Sequence, residues 1–317
     1  MKEASLQIIA IASGLAAGAL WALAFIAPAL VSPFDGTKLT LLRYAVFGIS
    51  SGVVLALLPR ERWWPLAKAY WPSLLVLALA GNTLYYLLLS EALQLAGTLL
   101  PTMIIGTLPV VIPAIAGVQT GLFSARRLFW PGLLILSGLG LHISPVGEVA
   151  AKDGTIPQTS VGTVLALAAL VSWAVYGLKN AALLASFQRA DLVTWTALIG
   201  VATLGTLPLV VVFVLLDGSL MLDAGQWQPW LALIFWGLVL GLLSSWVATW
   251  LWNLASCVLT GEVLGYLIVS ETVFAILYNF LVERRFPNTF ELPSLVLLVS
   301  GVAIGIHTAP RSKLSAS

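Results

Sequence analysis

The chain repeats part of its own sequence at about half its length. Residues 134–138 are Leu-Ile-Leu-Ser-Gly, and Leu-Leu-Val-Ser-Gly returns 163 positions later at residues 297–301. An offset of 152 sets Ala19–Ala22 on Val171–Ala174, with tryptophan at the same place in both. A duplication of this size predicts two similar structural halves. In apolar sequence such a repeat is typical of transporters, whose substrate site lies where the halves meet.

The composition places these halves in a membrane. Hydrophobic residues fill 60% of the 317 positions and charged residues 9%, with a mean hydropathy of +1.02. A soluble domain carries about 25% charge, so this chain cannot cover a water-facing surface. The apolar segments are continuous and not alternating, which excludes a transmembrane β-barrel. We expect an all-α membrane protein, in which the uncharged run after Glu3 is the first membrane helix and not a signal peptide.

Ten segments have the length of about 20 apolar residues that a membrane span requires. The predicted helices lie at residues 6–30, 38–58, 71–90, 97–119, 127–145, 161–179, 191–216, 228–253, 262–282 and 291–309. The longest polar connection, residues 145–160, separates two groups of five. Residues 1–147 and 161–309 are therefore predicted to be five-helix repeats. Residues 148–160 form the inter-repeat loop, and residues 310–317 form a cytoplasmic tail.

Basic residues predict the orientation of the helices. With the N-terminus inside, the inner segments hold Lys2, Arg60, Arg62, Lys68, Arg126, Arg127, Lys179, Arg189, Arg311 and Lys313, and the outer ones Lys38, Lys152, Arg284 and Arg285. Because basic residues are retained on the cytoplasmic side, both termini are expected in the cytoplasm, with the chain in a bacterial inner membrane. Five helices are an odd number, so the second repeat must be inverted relative to the first.

Polar side chains recur on equivalent faces of the third and eighth predicted helices. The 163-residue offset pairs Asn82 with Ser245 and Tyr86 with Thr249. Trp252 lies on the same face of the eighth predicted helix as Ser245 and Thr249. Polar groups in hydrocarbon are costly and mark sites or water-filled paths, so these faces are predicted to line a cavity between the halves. The other predicted substrate-binding residues are Trp21, Tyr85, Trp173, Tyr176, Tyr266 and Ser270. For each aromatic residue the alternative is helix packing.

Four further residues in the predicted spans suggest specific roles. Glu271, near the middle of the ninth helix, is a candidate proton or substrate-amine site, and its alternative is a structural hydrogen bond. Arg43 lies five residues into the second helix, where it either pairs with another polar group or extends to the membrane surface. Pro109 and Pro113 remove backbone donors from the fourth helix and are predicted to kink it as a gate.

The order of these segments resembles a known family. Val161–Ala169 followed by Ser172–Tyr176, the Thr107–Val110 segment, and Ser270–Ala275 ending at Leu281–Arg284 resemble motifs of the drug/metabolite transporter superfamily, specifically its EamA-type ten-helix exporters. Thr272 stands where proline is usual and Val282 where glycine is usual. Within that family the chain looks most like the aromatic amino acid exporter group of the YddG type. The resemblance implies two inverted repeats and export of a small metabolite.

No enzyme is predicted. Gly48–Gly52 matches the Gly-x-Ser-x-Gly pattern of hydrolases, but it lies inside an apolar helix with no histidine near it in sequence. No metal-binding or phosphate-binding motif is present, so neither cofactor nor metal is expected, and transport must be secondary or passive. A net charge of +2 gives no reason to expect nucleic acid as a partner. The small-xxx-small motifs predict close packing within the chain. We therefore expect a monomer or a weak oligomer in the lipid bilayer.

The predicted cavity favours one class of substrate. It would be rich in aromatic faces, with few fixed charges besides Glu271. Such a site suits an aromatic zwitterion, whose ring stacks on rings while amide and hydroxyl groups bind its polar end. We expect export of aromatic or other hydrophobic amino acids by alternating access, with amphiphilic drugs as secondary substrates and protons as a candidate coupling ion. The alternatives are nucleotide sugars or cationic drugs as substrates, or a scaffold or channel in place of a transporter.

Overall fold

The computed structural model describes residues 2–31, 34, 36–96, 101, 104–119, 121, 124–150, 156–185, 187, 191–216, 228–287 and 289–309. This part of the chain is helical and contains no strand. The helices are α1 (Lys2–Leu30), α2 (Gly36–Leu57), α3 (Arg60–Ala78), α4 (Leu84–Ala96), α5 (Leu108–Gln119), α6 (Ala125–Ala150), α7 (Ile156–Leu184), α8 (Leu192–Leu216), α9 (Gln228–Val239), α10 (Ala248–Val258), α11 (Gly261–Leu267), α12 (Val269–Glu283) and α13 (Glu291–Thr308).

Two stretches of wider π-helix interrupt the longest helices. The first π segment, Leu79–Thr83, joins α3 to α4, and the second, Leu240–Val247, joins α9 to α10. When the sequence is aligned with itself at the 163-residue offset, the positions of the first π segment fall within those of the second. A π segment shifts the helical hydrogen-bond register and is frequent at functional sites. Both segments lie in the two helices whose polar faces the sequence paired.

Within the described residues, eight helical stretches are long and apolar enough to cross a membrane. They are Ser5–Ala27, Gly36–Leu57, Arg60–Leu89, Thr159–Leu184, Leu192–Val212, Pro229–Val258, Gly261–Val282 and Glu291–Thr308. The all-α membrane class is thereby confirmed. The predicted fourth membrane helix, residues 97–119, corresponds to α5, which is shorter than predicted. The predicted fifth membrane helix corresponds to α6.

Several helices extend beyond their predicted ends. The predicted third helix began at residue 71, but α3 begins at Arg60, whose guanidinium lies 4.8 Å from the centre of the Trp64 ring. Charged residues suggested a loop there, yet an exposed arginine beside an aromatic ring is compatible with a helix end at the membrane surface. The predicted inter-repeat loop is shorter than expected, because α7 already begins at Ile156. The predicted tail, residues 310–317, lies outside the described part.

Glycines bring the helices into close contact within the chain, as the packing interpretation predicted. On Gly241, an added Cβ would lie 2.8 Å from the carbonyl oxygen of Arg43 in α2. On Gly305 of α13, it would lie 2.6 Å from the ring of Tyr266. Gly18 of α1 has similarly little room beside Ser270. Side chains larger than hydrogen would separate these helices.

The two sequence halves are interleaved in space. Helix α1 packs along α10 and α12, α2 packs along α8, α4 packs along α7, and α6 packs along α13. Each of these contacts joins an element before residue 150 to one after residue 156. The main helix contacts therefore lie between the halves, which places the interface in the centre of the helical assembly.

A buried hydrogen-bond network ties together three helices of the second half. Asn180 Nδ2 of α7 donates to Asn253 Oδ1 of α10 at 2.7 Å, and Trp195 Nε1 of α8 donates to Asn180 Oδ1 at 2.9 Å. Asn253 Nδ2 then donates to Thr196 Oγ1 of α8 at 2.9 Å. All four residues are 0% exposed. Because the two amides are bonded to each other and also to side chains of α8, this network fixes the relative rotation of α7, α8 and α10.

We expect Asn253→Ala to destabilise the protein by about 1–2 kcal/mol, since it leaves Asn180 Nδ2 without its acceptor and Thr196 Oγ1 without its donor in an apolar core. The measurement is the thermal unfolding midpoint of the purified protein in detergent. Thr163→Ala is the matched control, because the Thr163 hydroxyl bonds only to the Thr159 carbonyl of its own helix. Equal midpoints for the two variants would contradict the role of the network.

Candidate functional site

Four of the predicted site residues meet in one aromatic cluster. The Trp21 ring of α1 lies 5.2 Å from the Trp252 ring of α10 and 6.1 Å from the Trp173 ring of α7, measured between ring centres. The Trp173 ring is also 5.8 Å from that of Tyr176 and 6.2 Å from that of Trp252. All four side chains are buried. The Trp21–Trp252 contact is tilted and the other three are edge-to-face, and together they join helices of both sequence halves.

The first π segment shapes one side of this cluster. Gly81 lies directly against the Tyr176 ring, where an added Cβ would be 2.6 Å from Cγ. Ser172 Oγ of α7 donates to the carbonyl oxygen of Ala80 at 3.0 Å. Irregular backbone in a membrane protein needs such a partner for its displaced carbonyl groups. The same π segment thus positions α7 and the aromatic residues that α7 carries.

A polar cluster surrounds Arg43. Its Nε donates to Ser245 Oγ at 2.8 Å, and its Nη2 donates to Ser244 Oγ at 3.5 Å. The guanidinium carbon lies 5.1 Å from the centre of the Tyr44 ring and 6.0 Å from that of Tyr86. Arg43 is only 8% exposed. It pairs with polar groups inside the protein and does not extend to the membrane surface.

Glu271 lies near this cluster, in the first turn of α12. The helix is interrupted just before it, at Ile268, between α11 and α12. Glu271 interacts electrostatically with Arg43 and with Tyr85, but within the described residues the two charged groups form no direct ion pair. Glu271 and Tyr85 are both half-buried. The Glu271 carboxyl and the Arg43 guanidinium are therefore coupled by charge and not by direct contact.

Other predicted site residues have different surroundings. Asn82 Nδ2 donates to Thr203 Oγ1 of α8 at 3.0 Å, whereas its sequence counterpart Ser245 binds Arg43. Ser270 Oγ donates to the Leu267 carbonyl oxygen of its own helical stretch at 2.6 Å. Thr249 is buried in α10. The residues predicted to line one cavity therefore take part in different contacts between or within helices.

Tyr266 lies away from the aromatic cluster. It packs against Gly305 of α13 and lines a small cavity with Pro113, Arg127 and Glu262. The sequence placed it in the central pathway because the 163-residue offset aligns α11 with the predicted fourth helix. Its ring occupies the space beside a glycine, so packing against α13 is the role that these contacts describe.

The prolines of the predicted fourth helix differ in their effect. Pro109 stands in the first turn of α5, where a missing N–H removes no hydrogen bond within that helix. Pro113 is inside α5 and packs against Gly265. The helical path is interrupted at Gly106 and Thr107, just before Pro109. This interruption lies close to the position that the offset pairs with Ile268.

Sequence reasoning missed several partners of the site. Ser244 and Tyr44 complete the surroundings of Arg43, and Thr83 and Thr206 share a hydrogen bond of 2.6 Å between α8 and the first π segment. The available signal was the cost of any polar group within a span. Serine and threonine can satisfy that cost within their own helix, so their presence alone does not identify a partner.

We expect a cysteine at Asn82 to react with a small water-soluble thiol reagent in a Cys257→Ala background. Asn82 is half-buried in the first π segment, and only a hydrated thiol ionises and reacts rapidly. A cysteine at Val171 is the control, because Val171 is 61% exposed on the outer side of α7 and should face lipid. Labelling is measured by mass spectrometry. If neither cysteine reacted, the prediction that Asn82 lies on a hydrated path would be contradicted.

Comparisons with known proteins support the membrane assignment. No family model matches the chain. It is 34% identical over 318 residues to the inner membrane protein YtfF of Escherichia coli (strain K12), and the alignment covers 96% of both proteins. A protein of known crystal structure matches with a TM-score of 0.70 at 19% identity, over 95% of this chain and 99% of the other. At that identity the likeness shows a shared fold.

Proposed function

This chain belongs to the family of the inner membrane protein YtfF and is a multi-pass inner membrane protein, and from that premise we propose that it is a secondary transporter. It exports small metabolites by alternating access. The substrates are aromatic or other hydrophobic amino acids, with amphiphilic drugs as secondary substrates.

The carrying observation is the aromatic cluster of Trp21, Trp173, Tyr176 and Trp252. These rings share one buried core with Tyr44, whose ring centre lies 5.1 Å from the Arg43 guanidinium. Small-molecule sites combine apolar and aromatic walls with a few polar groups that fix orientation. Rings that pack edge to face on one another can exchange those contacts for the ring of a substrate. The two clusters together supply both kinds of recognition that an aromatic zwitterion requires.

A fold of ten membrane helices in two inverted five-helix repeats follows from the same proposal, with repeats at residues 1–147 and 161–309. Three features support it. The π segments fall at offset-related positions, and the interruptions near Thr107 and Ile268 do so within two residues. The contact of α1 with α10 is mirrored by that of α4 with α7. Transporters of inverted-repeat design place discontinuous helices at the substrate site. We propose with it that the chain is a member of the EamA-type exporters of the drug/metabolite transporter superfamily, which its sequence motifs resemble.

Alternating access then requires one group of helices to move against the other. The interrupted helices, α3–α4, α5, α9–α10 and α11–α12, form the moving group, and Pro113 lies in one of them. Glu271 follows an interruption and can accept or release a proton as the site changes its exposure. No nucleotide-binding motif is present in the sequence, so the driving force is a gradient.

The alternatives are less well supported by the charges. A carrier of nucleotide sugars must neutralise two phosphate groups, whereas the polar cluster contains one cation, Arg43. A cationic drug would be repelled by that same residue. A selective channel more often shows a ring of like polar groups, and the described clusters are mixed.

Both termini are expected in the cytoplasm, because ten basic residues lie in the inner segments and four in the outer ones. Reporter fusions should therefore give a cytoplasmic signal after Ser317 and an external signal within residues 150–158. Alkaline phosphatase and green fluorescent protein are suitable reporters, since they are active on opposite sides. If both fusions report the same side, the inverted five-plus-five arrangement fails.

Expression of the chain should lower the cellular retention of phenylalanine and tryptophan and raise tolerance to their toxic analogues. Trp173→Ala should abolish this tolerance, because it removes the ring that contacts three other members of the aromatic cluster. Trp71→Ala is the control, since Trp71 is 64% exposed and lies outside the cluster. Growth is compared at equal membrane abundance of the variants. Unchanged tolerance on expression, or movement of nucleotide sugars instead, would contradict the proposed substrates.

A further inference from the structure

We infer that Arg43 binds the carboxylate of the transported substrate, and this inference rests on the proposed function. Its side chain is 8% exposed within the helical assembly and carries a permanent positive charge. In hydrocarbon such a charge is expensive unless an anion or several dipoles compensate it.

The compensation that the protein supplies is incomplete. In the part of the chain that the structure describes, the hydrogen bonds of Arg43 go to two neutral hydroxyl groups, those of Ser244 and Ser245, and use two of its five N–H donors. The aromatic faces of Tyr44 and Tyr86 add a weaker attraction. Within the described residues the guanidinium has no carboxylate within ion-pair distance. Donors remain available for an anion from outside the protein.

The serines fix the direction in which those donors point. The 2.8 Å bond from Nε to Ser245 holds one edge of the guanidinium against the second π segment. The planar fork of an arginine recognises a carboxylate through two parallel N–H groups, which a neutral hydroxyl cannot match. With Nε bonded to Ser245 and Nη2 to Ser244, the N–H groups of Arg43 that these bonds do not use are on its terminal nitrogens, and the guanidinium lies 6.0 Å from the centre of the Tyr86 ring.

A zwitterion carries the two charges that Arg43 and Glu271 complement. Within the described residues these two groups form no direct ion pair, which leaves both for a molecule that carries an ammonium and a carboxylate on one carbon atom. Its carboxylate would bind Arg43, and its ammonium group would bind Glu271. Tyr85 and Tyr86, both half-buried, border the same region and provide faces for the rest of the substrate. Arg43 thereby selects against neutral and cationic analogues that lack a carboxylate.

The test compares ligands that differ in one charge. Calorimetric titrations of the full-length protein in lipid nanodiscs would use L-phenylalanine, L-phenylalaninamide, which lacks the carboxylate, and 3-phenylpropionate, which lacks the amine. The wild type should bind phenylalaninamide about ten- to a hundredfold more weakly than phenylalanine, as expected for loss of a charge-assisted bond. In Arg43→Gln the affinity for phenylalanine should fall by the same factor while that for the amide stays unchanged.

Two further variants separate recognition from folding. Arg43→Lys keeps the charge but not the planar fork, so it should retain part of the discrimination. Arg60→Gln, which alters an exposed arginine beside Trp64, should retain all of it. A purely structural role for Arg43 would weaken all three ligands equally and leave their ratios intact. If Arg43→Gln does not fold, the wild-type ligand ratio and Arg43→Lys decide the outcome.

Efflux from liposomes distinguishes this inference from the proposed function. Transport of phenylalanine with full carboxylate discrimination in the Arg43 variants would overturn the inference and leave the function intact. Carboxylate selectivity that depends on Arg43, without any transport, would overturn the function and support the site. Absence of binding of every ligand to the wild type, or equal binding of phenylalanine and its amide, would overturn the inference.

Discussion

Polar groups surrounded by hydrocarbon must find their partners inside the protein, and this constraint organises the centre of the molecule. The solutions connect separate helices. Ser172 binds a carbonyl of the first π segment, Ser245 of the second binds Arg43, and Asn253 completes the amide network with Asn180. Each bond costs more to break than in water, because the freed group has no solvent to replace its partner. Helix rotation and depth are consequently fixed by a few buried contacts.

Much of the fold could be predicted from the length and apolarity of the segments. The helix ends could not, because charged and polar residues occur both at membrane surfaces and in buried networks. Lys179 and Asn180 illustrate the difficulty: the pair resembled a helix end, whereas α7 continues to Leu184 and Asn180 is fully buried. Hydrophobic periodicity identifies a helix, but it does not show which polar residues have partners on neighbouring helices.

The site was predictable in its aromatic part and less so in its polar part. Trp21, Trp173 and Trp252 converge because each occurs in a helix that packs across the halves, and the repeat indicated those helices. The partners of the polar residues depend on the directions of their side chains, which the repeat does not show. Asn82 and Ser245 are equivalent by sequence offset, yet the first faces α8 and the second faces α2. A repeat preserves backbone position, while the partners available at that position differ between halves.

Irregular backbone and polar recognition coincide in this molecule. The first π segment contacts Tyr176 through Gly81, the second contains the serines that hold Arg43, and the interruption at Ile268 precedes Glu271. A membrane protein tolerates non-helical backbone only where protein or a water-filled path surrounds it. The π segments also interrupt the regular hydrogen-bond register of the α-helix, an irregularity that is frequent at functional sites. In the proposed transporter the substrate would bind residues that belong to, contact or follow these irregular segments, so its binding would act directly on them and through them on the positions of the helices.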